Sequence, residues 1–356
     1  MKKIWSVDMI RMKDVAKHAV VSVATVSNVI TGKQIVSPNV RASVLRSIKE
    51  LNYNVNLVAR GLKTRRTYTI GVILPDVTKL FFLDVLKGIM ETADKAGYKI
   101  NILSSNYDFE SERALVHSLK GSRVDGIILD SCVNKDFSNI WADELVQDSN
   151  GTTSIVSIES KIDQQRISEV LVDCEYWSGR ITQHLIDSGR RRIFFISGPL
   201  NLEHEYTRLV GYQNTLRNNG LSVCDELVAS CDFLSGTAYK AAHRALKNGL
   251  EFDAVQASND QAAIGALKAL KEYDISVPET VAVCGFDNLF PSTLVMPAIT
   301  TVDVPRYDMG ATAVKEVLRR IEDKEAQPMR HVIKASMIVR ASSCANALTQ
   351  WNLENW

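Results

Sequence analysis

The 356-residue chain is predicted to fold as an N-terminal all-α, three-helix head of the helix-turn-helix type, followed by an α/β body. The body is predicted to form two lobes with doubly wound parallel sheets. Three observations carry this prediction. Helical periodicity marks three short segments between Met12 and Tyr53, positive charge gathers at the N-terminus, and from Tyr68 onward apolar β-rich runs alternate with amphipathic stretches. The length exceeds one compact core and suits two or three domains.

Charge separates the two parts. The overall formal charge is +1, yet through Arg66 there are 13 Lys+Arg against 3 Asp+Glu. That leaves 29 of the 42 Lys+Arg and 38 of the 41 Asp+Glu to the remainder. A basic head on an acidic body indicates that the head meets a polyanion and the body does not. Residues 1–11 are read as an N-terminal extension. Lys2 and Lys3 imitate the start of a signal peptide, but Asp8, Arg11, Lys13 and Asp14 interrupt any apolar run. No stretch approaches the length of a membrane span. Cys132, Cys174, Cys224, Cys231, Cys284 and Cys344 are scattered without a C-x-x-C, which favours thiols over disulfides or a metal site. A cytoplasmic location without membrane attachment is expected.

The head, residues 12–54, begins with the helix "MKDVAKHA", then "VATVSNVI", then "PNVRASVLRSIKELN". Ser22 is placed to cap the second helix, and Ser37-Pro38 to open the third with an N-cap and a first-turn proline. Val44, Leu45, Ile48 and Leu51 are read as the third helix's inward stripe. On the second helix Thr25, Val26, Val29 and Ile30 cluster on one side, and Ala24, Ser27 and Asn28 on the other. This outward side is small and polar, which suits close approach to a surface. A second helix presenting its N-terminal turns after a tight turn is the arrangement that enters a major groove. Asn28 suits a base edge, Val23 and Ala24 suit thymine methyls, and Ser22 and Ser27 suit phosphates. Ser37 is counted with these DNA-facing residues. Any three-helix bundle has such a stripe; the basic excess makes the difference here.

These residues resemble the lactose/galactose repressor (LacI/GalR) family, through "KDVAKHAVVSVATVSNVITG" and "VRASVLRSIKELNYNVNLVARGLK". The resemblance implies a periplasmic-binding-protein-like body and makes Val23, Ala24 and Asn28 the base-reading positions. The chain departs from the family pattern at Val20, where glycine usually makes the turn, at Arg11, where threonine often caps, and at Val55, where proline commonly stands. A β-branched residue at position 20 is strained if its φ is positive.

Residues 55–66 read as a linker in which Asn56 can cap a short helix, marginal on its own in water. In the family this segment is the hinge helix, and Leu62 matches the position that wedges between base steps. Arg60 and Lys63, with Arg65 and Arg66, fit phosphate contacts.

In the body, residues 67–343, "YTIGVIL", "YKINILS", "VDGIILD" and "TSIVSI" read as strands, with helices at 82–95, 110–120 and 136–147. A second set, "SEVLVDC", "RRIFFIS", "DAVQAS" and "TVAVCGF", alternates with helices at 175–187, 206–218, 236–247 and 260–271. "AITTVDVP" and "HVIKASMIV" are read as crossovers. The expected N-lobe is about 67–165 and 301–327, the C-lobe about 166–300 and 328–343, and 344–356 a tail. Two such lobes enclose a cleft at the carboxyl ends of their strands.

Phe81, Phe82, Glu159, Arg208, Phe233, Asn259 and Asp287 match the family's effector-contacting positions. Asp, Asn and Arg suit vicinal hydroxyls, and aromatic rings suit apolar sugar faces. Phe81, Phe82 and Phe233 equally fit core aromatics, and Asn259 equally fits a helix cap. His204, near Arg208, has two readings, a residue lining the cleft and a satisfied surface histidine, and the second is preferred. The chain has no G-x-S-x-G, P-loop, H-E-x-x-H or G-x-G-x-x-G, and its six histidines lack metal-ligand spacing, so no enzyme, cofactor or metal is expected.

The function expected is a homodimeric, sequence-specific transcriptional regulator of carbohydrate-utilisation genes, acting chiefly as a repressor. Its partners are a near-palindromic operator in double-stranded DNA and a small effector, a sugar or sugar phosphate. One alternative is a global carbon catabolite regulator with a phosphocarrier protein as corepressor. Another is a sugar-binding protein without a transcriptional role, disfavoured by the basic head and the interrupted N-terminal run.

Overall fold

The computed structural model describes residues 10–31, 36–53, 66–147, 153–163 and 165–347. It divides into two compact units, one through Thr67 and one from Tyr68.

In the first unit α1 spans Met12–His18, α2 Val23–Thr31 and α3 Pro38–Glu50. Val15, Val26, Val29, Val44 and Tyr53 make a small core. The Ser22 hydroxyl accepts from the Thr25 amide at 3.1 Å and so caps α2 as expected. Ser37 holds the corresponding position before α3, but its side chain makes no capping bond; Pro38 presets the first turn instead. The third helix's expected stripe needs one correction. Leu45 is half exposed, and Ser47 is buried. Turning by about 100° per residue, positions 44, 47, 48 and 51 share a face and 45 does not. Ser47 is tolerated there because its hydroxyl bonds the Ser43 carbonyl and sits 3.0 Å from His18 Nδ1, tying α3 to α1.

Val20 makes the turn between α1 and α2 with φ 55° and its side chain 88% exposed. A β-branched residue in the left-handed region costs about 1–2 kcal/mol with no packing in return. Val20→Gly is therefore expected to stabilise the head by about 1 kcal/mol, after the entropy that glycine loses on folding. Amide hydrogen exchange across α1–α3 of the full chain measures this; unchanged or weaker protection contradicts it.

The second unit holds two parallel sheets. The first has the order β11-β5-β4-β3-β1-β2, with β1 Thr69–Leu74, β2 Lys99–Ser104, β3 Gly126–Leu129, β4 Ser154–Ile158, β5 Ser168–Leu171 and β11 Arg330–Val332. The second has the order β7-β6-β8-β9, with β6 Ile193–Ser197, β7 Val228–Ser230, β8 Ala254–Ala257 and β9 Ala282–Cys284. Helices α4 (Leu80–Lys95), α5 (Phe109–Gly121) and α6 (Ser138–Gln147) accompany the first sheet's chain segments. Helices α7 (Cys174–Asp187), α8 (Glu203–Asn218), α9 (Ser235–Lys247) and α10 (Asp260–Glu272) accompany the second. The short helix α11 covers Pro291–Leu294, and α12 covers Arg306–Glu322. Strand β10 (Thr301–Asp303) pairs antiparallel with β12 (Ser336–Ile338) in a two-stranded ribbon.

The lobe boundaries differ from expectation in two places. "SEVLVDC" contributes β5 to the first sheet, so the chain leaves that lobe after Leu171 rather than near 165. "HVIKASMIV" is two elements: β11 joins β5 at the edge of the first sheet, and only β12 belongs to the crossover ribbon. Helix α12 packs on α4 so closely that their backbones touch at Gly88 and Gly310. No helix among the described residues is long and apolar enough to cross a membrane.

Candidate functional site

Between the two sheets of the second unit lies a cleft of about 630 Å³, measured to its open mouth. Its floor comes from residues that follow strands at their carboxyl ends, where parallel sheets leave backbone and side chains free to meet a ligand. Pro75 follows β1, Asp130 follows β3, Glu159 follows β4, and Asn259 stands two residues after β8. Helices α4 and α8 begin at the same end and bring Phe81, Phe82, His204 and Arg208. Phe81, Phe82, Glu159, Arg208, Phe233, Asn259 and Asp287 all line this one cavity.

A buried charge network organises it. Arg208 Nη1 donates to Glu205 at 2.6 Å and to the Ser258 carbonyl at 3.0 Å. Its Nη2 lies 3.9 Å from Glu159 and 3.8 Å from Asp287. The guanidinium also stands over the Phe286 ring, 4.2 Å from its centroid. Glu205 is held from the other side by the Gly198 amide at 2.7 Å. Burial pushes Glu159 up to about 7 and Asp287 up to about 6, against the opposing pull of Arg208. Burial also drives Asp130 well above the usual carboxylate range, with Glu159 adding repulsion. Glu159 Oε1, Asp287 Oδ1, Arg208 Nε, His204 Nδ1 and Ser258 Oγ are buried without a hydrogen-bond partner. Unfilled polar valence in a buried cavity is costly in isolation and is what a hydroxyl-rich ligand relieves.

The aromatic wall is a stack. Phe233 lies between Tyr107 and His204, with centroid separations of 6.0 and 6.1 Å and interplanar angles of 26° and 22°. Phe81 and Phe82 meet edge to face at 5.3 Å; Phe82 is also part of the core beneath. Tyr107, Glu159, Phe233 and Asp287 all have left-handed backbone, with φ of 59°, 58°, 70° and 99°. Each such residue costs about 1–3 kcal/mol, and their gathering at one cavity is characteristic of a site rather than of a core.

Asn259 serves as a helix cap and lines the cavity as well. Its Oδ1 accepts from the Ala262 amide at 2.7 Å, and its Nδ2 donates to the Phe233 carbonyl at 3.1 Å. Asn259 thus positions Phe233. His204 follows the less favoured of its two readings: it lines the cavity rather than the surface, and burial lowers it to about 4, which keeps it neutral. Sequence reading missed Tyr107, Asp130, Glu205 and Gln261. Asp130 had a signal, since a carboxylate at a strand's carboxyl end in a parallel sheet is a standing candidate. Tyr107 had none.

In the first unit Ser22, Val23, Ala24 and Ser37 are exposed, and Ser27 and Asn28 are half-buried. Val23, Ala24, Ser27 and Asn28 lie on α2 away from Val26 and Val29, which are buried. Asn56, Arg60, Leu62 and Lys63 fall outside the described residues.

Comparison with known proteins agrees with both units. A model described as bacterial regulatory proteins, lacI family, matches residues 11–56. One described as periplasmic binding proteins and sugar binding domain of LacI family matches 67–341. Catabolite control protein A of Priestia megaterium is 34% identical over 313 residues, 88% of this chain and 92% of that protein. The ribose operon repressor of Escherichia coli K12 is 30% identical over 336 residues, 94% of this chain and 100% of that one. Among solved structures, a complex of the transcriptional regulator CelR with cellobiose has TM-score 0.71 and 28% identity, covering 94% of this chain and 99% of that one. A lac repressor dimer bound to operator and an anti-inducer has TM-score 0.82 at 24% identity with the same coverage, a likeness of fold.

Proposed function

The chain belongs to the LacI family of bacterial regulatory proteins, and from that premise we propose that it is a transcriptional repressor of carbohydrate-utilisation genes whose hold on its operator is set by a sugar-like effector in the interlobe cleft. Its work is binding rather than catalysis, and its place is the cytoplasm. The observation that carries the effector reading is the meeting of seven side chains, far apart in sequence, around one cavity with unfilled hydrogen-bonding atoms.

The protein binds as a homodimer, because one recognition helix covers only a half-site and two heads match a near-palindrome. Val23, Ala24 and Asn28 read bases, and Ser22, Ser27 and Ser37 approach phosphates. Asn56, Arg60, Leu62 and Lys63 belong to a hinge that meets the minor groove, with Leu62 as the wedge. Effector binding favours one lobe arrangement and thereby changes the spacing of the two hinges in the dimer.

The test is operator selection from a duplex library, with and without sugars, by wild type and Asn28→Ala. The variant is expected to lose discrimination at one base pair per half-site, worth about 1–3 kcal/mol. An unaltered base preference removes Asn28 from the reading set. Equal affinity for selected and random duplex at physiological salt removes the operator reading itself.

The 34% identity to a catabolite control protein favours a second reading, a global catabolite regulator with a phosphocarrier protein as corepressor. Co-purification with the phosphorylated carrier separates the two.

A further inference from the structure

The cleft has two lining side chains that carry a fixed positive charge, and both are already matched. Arg208 is shared among Glu205, Glu159 and Asp287. Lys79 stands 3.9 Å from Asp76. His204, the remaining base of the lining, is neutral because burial holds it at about 4. The first turn of α10, which points into the same region, has its Ala262 amide taken by Asn259, and the Gly198 amide ahead of α8 is taken by Glu205. Two of the backbone amides at this end of the cleft, those of Ala262 and Gly198, are therefore already engaged by side chains.

Acids outnumber these cations. Asp130, Glu159 and Asp287 line the cavity. Two of the unpartnered atoms are carboxylate oxygens, Glu159 Oε1 and Asp287 Oδ1, which need a donor; Arg208 Nε needs an acceptor. A hydroxyl supplies both roles from one group and brings no charge. A fully ionised phosphate ester group supplies acceptors alone, and in any ionisation state it would be stripped of water beside carboxylates with no unmatched cation to receive its charge.

We propose that the cleft takes an uncharged polyhydroxy ligand and rejects the phosphate ester of that ligand by charge rather than by size. This rests on the sugar-effector reading above and narrows it. Asp287 and Glu159 act as the gate against anions, because together with Glu205 they already claim the charge of Arg208.

The experiment is calorimetric titration of the full chain with ribose, glucose and cellobiose, each paired with its terminal phosphate ester, and with inorganic phosphate alone. For a sugar that binds, the ester is expected to bind about a hundredfold more weakly or worse, since a like charge in a desolvated site costs several kcal/mol. Inorganic phosphate is expected to give no heat of binding. In Asp287→Asn the penalty on the ester is expected to shrink by about tenfold, because one neighbour of Arg208 no longer claims its charge. Glu159→Gln is expected to act in the same direction and serves if Asp287→Asn does not fold. An ester that binds as well as its parent overturns this inference and leaves the sugar-effector reading standing. A penalty unchanged in both variants overturns it too, since size would then be the cause. If neither sugars nor esters bind, the sugar-effector reading falls and this inference with it.

Discussion

Replacing Arg208 with alanine is expected to lower the stability of the body by about 3–5 kcal/mol, because it leaves buried acids without their cation. Glu205 is fully buried, and its Oε1 has Arg208 as its partner at 2.6 Å. Glu159 and Asp287 lose the charge that opposes their burial, so both are pushed further toward the protonated state. Protonation limits the loss but does not replace the bonds to Glu205 and to the Ser258 carbonyl. Urea denaturation of the full chain, followed by the body's transition, gives the number. Arg208→Lys keeps the charge without the planar fork and is expected to fall between alanine and wild type. A loss under about 1 kcal/mol for alanine means that the acids are satisfied by water, contrary to the network described.

Gly88→Ala is expected to cost about 3 kcal/mol or more, because the added methyl meets backbone that cannot step aside. A Cβ at Gly88 falls 2.1 Å from the Tyr307 carbonyl oxygen and 3.0 Å from the Ala311 amide. Its counterpart Gly310 would place a Cβ 2.1 Å from the Val85 carbonyl oxygen. The two glycines are thus mutual, and α4 and α12 must separate along their crossing if either gains a side chain. Gly121→Ala is the control. It has open space around it and is expected to stabilise by about 0.5 kcal/mol through the unfolded state. Equal melting temperatures for the two variants would show that α4 and α12 do not approach this closely.

Most helices were legible because their evidence is local. The spacing of Val26 and Val29, the Ser22 cap and the Pro38 opening each act within a few residues. The strand runs were legible for the same reason, since continuous apolar stretches such as "RRIFFIS" match buried parallel strands. Errors arose where a local rule had two outcomes. Leu45 is apolar and adjacent to Val44, yet one step of helix turns it to solvent. Asn259 offers the same side chain to a cap and to the cleft, and only the fold shows it doing the first while lining the second.

The chain's order of residues was sufficient to establish a basic three-helix head and an alternating α/β body, and the family resemblance marked seven candidate positions that the fold gathers around one cleft. Helical and strand periods, caps and charge are properties of neighbours in the chain, and they survive without knowledge of the rest. The three-dimensional arrangement settled which sheet received β5 and β11, how Asp130 and Tyr107 came to share a wall with Phe233, and how three acids came to share Arg208. Those facts depend on pairings between segments up to some 160 residues apart, as in Arg330 beside Glu169. No local preference encodes them; they follow from which edges and faces remain open once the other elements have packed.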